Sequence, residues 1–156
     1  MAGSSIKITT QGDRAISEVL QQLLEQSQDL TPALNDIGEY LLVTHQQRFI
    51  DQQTPDGTPW EPLSPTTHAR KRRGDRILTE EGNLANNLHY QITGSLSGAS
   101  LEFGSNEVYA AMHQFGGTTS SRSMMPNQDI PAREFLGLAG EDEKQILQIL
   151  SAFLVD

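Results

Sequence analysis

Pro55, Pro59, Pro62 and Pro65 fall within one short stretch around the chain's single tryptophan, Trp60. Proline fixes φ and lacks an N–H, so this spacing forbids a regular helix or a central strand from Asp51 to Pro65. Pro55-Asp56-Gly57 carries turn chemistry. The stretch therefore has to be a stiff loop between other elements, with Trp60 as its large anchor. Tryptophan is enriched at binding hot spots, so Trp60 can be an interface anchor. The flanking prolines favour the other reading, a side chain that pins the loop over neighbouring helices.

Apolar spacing supplies the neighbours. Ile6 and Ile8 alternate with Lys7 and Thr9, which predicts an extended N-terminal arm over residues 1–9. Ile16, Val19, Leu20, Leu23 and Leu24 form a helical stripe from about Asp13 to Gln28. Thr31-Pro32 predicts an N-cap followed by proline at the first helical position. Leu34, Ile37, Leu41, Leu42, His45 and Phe49 then mark a second helix to about Ile50. The short link predicts an antiparallel helical hairpin.

Downstream, Ser64-Pro65 caps a short helix running into the basic residues and ending at Gly74. Thr79-Glu80-Glu81 opens another, through Leu84 and Leu88. His89–Thr93 and Ser100–Phe103 read as strands, with a turn over Gly94–Gly98. Tyr109, Met112, His113 and Phe115 predict a helical turn ending at Gly116-Gly117, with Phe115 assigned to the core. Residues 118–129 are polar and read as a mobile loop, or one ordered by a neighbour. Ile130–Phe135 is extended and constrained by proline. A last helix starts near Glu141-Asp142-Glu143 and buries Ile146, Ile149, Leu150, Phe153 and Leu154. The expected architecture is α+β: an N-terminal helical hairpin and a C-terminal helix on a small antiparallel sheet, with long loops, in one domain of 156 residues.

Charge narrows the function. Eleven Lys and Arg stand against twenty Asp and Glu, a net −9, which argues against a globally basic nucleic-acid binder. Yet Arg70, Lys71, Arg72, Arg73 and Arg76, less Asp75, give a local +4 and leave −13 for the rest. Such a spot can be a solvated loop, a contact for an acidic protein surface such as a neighbouring copy, or a phosphate contact. The aromatic interleaving of single-strand binders is missing from it.

Catalytic and metal motifs are not recognisable. Cysteine is absent, which removes thiolate catalysis and Cys-based zinc sites. His45, His68, His89 and His113 lie more than twenty residues apart, so no pair falls at helical spacing. Glu80-Glu81 and Glu141-Asp142-Glu143 are explained by helix starts. The expectation is a non-enzyme with no cofactor and no metal. No apolar run is long enough for a membrane span, and no signal peptide is recognisable, so a chain made in the cytoplasm is expected.

Several segments taken together resemble one family. Phe49 followed by Pro55-Asp56-Gly57-Thr58-Pro59-Trp60-Glu61-Pro62-Leu63 is similar to a signature of the phage virion morphogenesis family, the tail-completion proteins of Mu-like and related tailed phages. Ile77-Leu78-Thr79 with Gly82-Asn83-Leu84 matches next. Phe103-Gly104-Ser105 follows, with Tyr109-Ala110 and His113-Gln114-Phe115-Gly116. Ile130-Pro131-Ala132-Arg133-Glu134-Phe135-Leu136-Gly137-Leu138 closes the series, with Glu134 where the family often has proline. The resemblance spans nearly the whole chain and is weakest before Leu30. It implies a structural protein of the virion, at the head–tail junction or the head-proximal end of the tail. Its partners would be further copies of itself, in a ring that is often sixfold, together with tail and head–tail connector proteins. Genomic DNA would pass through without specific binding, and no membrane is involved. An alternative is a DNA-contacting neck or assembly factor that uses residues 70–76.

Overall fold

The computed structural model describes residues 14–26, 29–70, 76–79, 82–95 and 98–154. The predicted arm over residues 1–9, as well as Lys71, Arg72, Arg73, Gly74, Glu80 and Glu81, lies outside them. Helix α1 covers Arg14–Glu25 and α2 covers Thr31–Asp51. Leu30, not Thr31, takes the N-cap position of α2, and Pro32 sits in its first turn. The Thr31 N–H is instead held by the Asp29 carboxylate at 3.0 Å, so the capping acceptor comes from two residues upstream. That bond holds the Asp29 carboxyl below its ordinary pKa.

Helix α2 is the spine. Ala33, Leu34, Ile37, Leu41, His45, Arg48 and Phe49 are buried along one face, at helical spacing. The C-terminal helix α6, Gly140–Ser151, buries Ile146 and Leu150 against it. Helix α1 lays its apolar stripe chiefly on α6 rather than along α2, with Leu23 fully buried. The two N-terminal helices thus share a core through α6.

Strands β1 (Leu88–Ser95) and β2 (Gly98–Ser105) form an antiparallel ladder in which Tyr90 faces Phe103 and Ile92 faces Leu101. They are longer than the sequence suggests: Gly94, Ser95 and Gly98, expected in the turn, extend the ladder. The period of two puts Leu88 and Ile92, with Leu101 and Phe103, on the helix side. Gly38 in α2 makes room for the approach, because a Cβ there would sit 2.6 Å from the Tyr90 ring.

Short helices α3 (Pro65–Arg70), α4 (Asn83–Asn86) and α5 (Ala110–Phe115) flank this frame. Ser64 opens α3, its hydroxyl accepting the Thr67 N–H. The helix expected through Leu88 is confined to Asn83–Asn86, and Leu88 belongs to β1, because its side chain completes the buried face of the ladder. A second ladder pairs β3, Gly117–Thr118, with β4, Asp129–Ile130, at the base of the polar loop. The fold is α+β, with two small antiparallel ladders rather than one sheet among the described residues.

Candidate functional site

The proline loop turns as its sequence demands. Gln53 and Pro59 form a bridge, Gly57 takes φ 90°, and the Thr58 N–H is held by Thr54 and Asp56. The Trp60 backbone N–H donates to Gln52 O, while the Gln52 side chain accepts the Ile77 N–H at 2.6 Å. Trp60 is thereby driven into the core. Its ring meets Phe49 edge-on at 5.4 Å, and Phe49 also stacks obliquely on Phe135 at 5.7 Å. The indole N–H donates to Glu134 O at 2.7 Å. Glu134 engages Trp60 through a carbonyl oxygen, which proline in that position would also supply.

Residues 131–137 pass between the proline loop and α2 without regular secondary structure, and four side chains from outside the segment, Trp60, Gln114, Arg48 and His45, bind their backbone. Gln114 of α5 accepts the N–H groups of Phe135 and Leu136, each at 3.0 Å, and donates to Leu136 O. Arg133 reaches the other way, to Glu61 O at 2.7 Å and Pro62 O at 3.0 Å. Arg48 of α2 donates to Phe135 O and to Gly137 O. Arg48 also meets Asp142 at 2.7 Å, and Asp142 accepts the Tyr40 hydroxyl and the Ala139 N–H. Ala139 has no side-chain acceptor, so Asp142 supplies only the reciprocal half of a capping box at the start of α6.

Burial sets the electrostatics. Desolvation first, then the Asp142 carboxylate, pushes the Tyr40 hydroxyl up to about 12. Burial lowers the pKa of Arg48 and of Arg133, but a guanidinium stays charged. His45 is 2% exposed; burial and then the nearby Arg48 charge bring its pKa down to about 4. The imidazole is therefore neutral at pH 7. Its Nδ1 lies 2.8 Å from Leu41 O, and its Nε2 accepts the Gly137 N–H, which assigns the proton to Nδ1.

A cleft of about 400 Å³ opens beside Leu84. Leu63, Leu78, Leu84, Ile130 and Pro131 give it apolar walls, with Ser64, Thr67 and Asn83 among its polar groups. Tyr109 and His113 line it too, their rings 5.9 Å apart. Among the described residues no group of three His, Asp or Glu is placed to hold a metal ion. Among them too, no helix is long and apolar enough to cross a membrane.

The motif residues thus separate. Phe49, Trp60, Arg133 and Phe135 are buried where the proline loop and residues 131–137 form a clasp against α2, with Pro55, Asp56 and Gly57 forming the turn of the loop. Leu63, Tyr109, His113 and Pro131 line the cleft, while Pro62 contributes a carbonyl to Arg133. Gly116 has φ 71°, and a Cβ there would lie 2.8 Å from Ala132 N. Phe115 is not in the core: it is 67% exposed, because Ala110 and Gln114, four residues apart, take the inward face of the short α5. Arg70 is exposed at the end of α3, and Arg76 is half-buried where the described chain resumes. Sequence reading misses Arg48, Gln114 and Asp142, whose partners lie far along the chain: backbone groups of residues 135–137 for Arg48 and Gln114, and the Arg48 and Tyr40 side chains for Asp142.

The family model for the phage virion morphogenesis family matches residues 12–155. The chain belongs to the phage virion morphogenesis family. Among its relatives, tail completion protein S of Escherichia phage P2 is 33% identical over 121 residues, covering 76% of this chain and 80% of the relative. The Mu-like prophage FluMu G protein 2 of Haemophilus influenzae is 29% identical over 143 residues, 92% of this chain and 91% of the relative. No solved structure matches the chain. The segments that carry the family resemblance meet in space: the proline loop, α5 and residues 131–137 form one hydrogen-bonded unit with α2.

Proposed function

We propose that this chain is a non-enzymatic virion-assembly protein that completes the phage tail and helps join it to the head, as an oligomeric ring at the head–tail interface. The family match over residues 12–155 carries the reading, together with a relative named for tail completion. The clasp is consistent with it. Arg48, Gln114 and Arg133 are occupied in bonding the protein's own backbone, which makes a stiff body suited to repeated contact with neighbours. Those neighbours are further copies, tail proteins and head–tail connector proteins. The genome passes through without specific binding, since a chain of net charge −9 offers few cations to replace DNA counterions.

Disruption of the gene in a phage tests this reading. Electron microscopy is expected to show filled heads separate from tails, or tails of wrong length. Normal joined virions would defeat it. A second reading, a DNA-contacting neck factor, is favoured by one observation, the five basic residues from Arg70 to Arg76. Alanine at Arg70, Lys71, Arg72, Arg73 and Arg76 is then expected to weaken DNA binding and flatten its salt dependence. A native chain without salt-sensitive DNA affinity removes that reading.

A further inference from the structure

Strand β2 has a ladder partner on one side only among the described residues. Its residues pair with β1 in unbroken register, without a bulge, and none is proline. The outer edge therefore keeps the regular spacing that another strand can join. On the helix side, Leu101 and Phe103 are only half-buried, and they line an apolar gap of about 180 Å³ together with Ile37, Leu41, Leu138 and Ile146. The gap takes its strand lining from β2 alone, which places it on the side of β2 away from β1. On the solvent side stands Glu102, exposed and the one charged residue of the strand. Strand β1 offers no such site: its Tyr90 packs on Gly38 and bonds Glu39, and it carries no carboxylate.

One segment of this chain fits that edge. Residues 1–13 precede the described chain, which begins at Arg14 in the first turn of α1. In that same turn, Ile16 packs against the core cluster that includes Ile37, Leu41 and Ile146, three of the gap's own walls. The six residues from Ile8 to Arg14 span up to about 20 Å when extended, enough to lead back from α1 to the gap. Ile6-Lys7-Ile8-Thr9 repeats with the period of a strand. Ile6 and Ile8 are the only large aliphatic side chains of the segment after Met1, and Lys7 is the only Lys or Arg ahead of Arg14.

We infer that residues 6–9 add to the outer edge of β2 of the same chain as a third strand, with Lys7 opposite Glu102. One register then meets every demand. Ile6 and Ile8 fall beside Leu101 and Phe103 and enter the gap, while Lys7 and Glu102 pair on the solvent face, whichever way the segment runs. A slip of one residue would put both isoleucines in water and the Lys7 ammonium in the apolar gap, so the register is strongly specified. The added strand covers an edge that would otherwise stay open to pairing with another chain. The inference is independent of the virion reading.

Carbodiimide treatment of the full chain tests the inference, since the reagent joins an amine and a carboxylate in contact into an amide with loss of water. An equal mixture of unlabelled and isotopically labelled chains is treated, digested and read by mass spectrometry. A Lys7–Glu102 amide is expected, with both residues from chains of one label. A mixed-label product would assign the segment to a second copy and overturn the inference, and so would the absence of any Lys7–Glu102 product. Hydrogen exchange gives an independent readout. In I6D/I8D, the β2 N–H groups that point away from β1 are expected to exchange at least about tenfold faster than in the native chain, while those paired with β1 keep their protection. Trp60 emission confirms that the variant folds. Equal exchange in the native chain and the folded variant would overturn the added strand.

Discussion

Arg48 on α2 and Asp142 at the start of α6 lie 94 positions apart in sequence and meet at 2.7 Å, with side chains only 10% and 5% exposed. The pair ties the spine helix to the C-terminal helix. Arg48 also holds the carbonyls of Phe135 and Gly137 from the same side chain. Asp142 holds Tyr40 and Ala139 in addition.

Removing one partner leaves a buried charge unmatched, so Arg48→Met or Asp142→Leu is expected to cost about 3–5 kcal/mol of stability. The double variant R48M/D142L is expected to lose less than the sum of the two singles, because neither charge is then stranded. Urea titration followed by Trp60 emission measures all three. Additive losses would show that the pair is not the coupling element.

His45 predicts a pH dependence with a definite sign. Its folded pKa, about 4, lies below the ordinary histidine value of 6.5. Between those values the unfolded chain takes up a proton that the folded chain refuses, so stability falls as pH drops from about 6.5 to about 4. Below that window this group adds no further slope. The effect is bounded by about 3 kcal/mol. His45→Asn is expected to flatten the slope in that window, measured by denaturation at stepped pH. An unchanged slope would remove His45 as its source.

Two glycines with positive φ separate backbone strain from crowding. Gly57→Ala meets open space at φ 90° and is expected to cost about 1–2 kcal/mol. Gly116→Ala adds a Cβ 2.8 Å from Ala132 N and 2.9 Å from Ile130 O, both backbone atoms, and is expected to cost distinctly more. Thermal unfolding ranks them; equal losses would contradict the close approach of α5 to residues 130–132.

Gln114→Leu keeps the size of the side chain but strips partners from the buried N–H groups of Phe135 and Leu136 and from Leu136 O. Each stranded group costs about 1–3 kcal/mol, so a loss of at least about 3 kcal/mol is expected in denaturant titration. A near-neutral result would mean that the clasp does not depend on Gln114.

These residues show where sequence is legible. The α2 stripe is readable because Ile37, Leu41, His45 and Phe49 repeat at helical spacing, and the loop because four prolines leave no alternative. Trp60 follows from both. Arg48 reads as one more polar residue on a helix, since its acceptors at Phe135, Gly137 and Asp142 come together only in the folded chain. Phe115 misleads for the opposite reason. Its hydrophobicity suggests core, while Ala110 and Gln114 occupy the inward face of α5. The cleft is illegible from sequence because its lining comes from α3, α4, α5, β4 and the segments between them.

The most direct measurement of the central claim is cryo-electron microscopy of the finished phage particle with this chain traced in the density. The account predicts a ring of copies at the head-proximal end of the tail, each touching the next. A complete map in which no density at the head–tail junction belongs to this chain would contradict it.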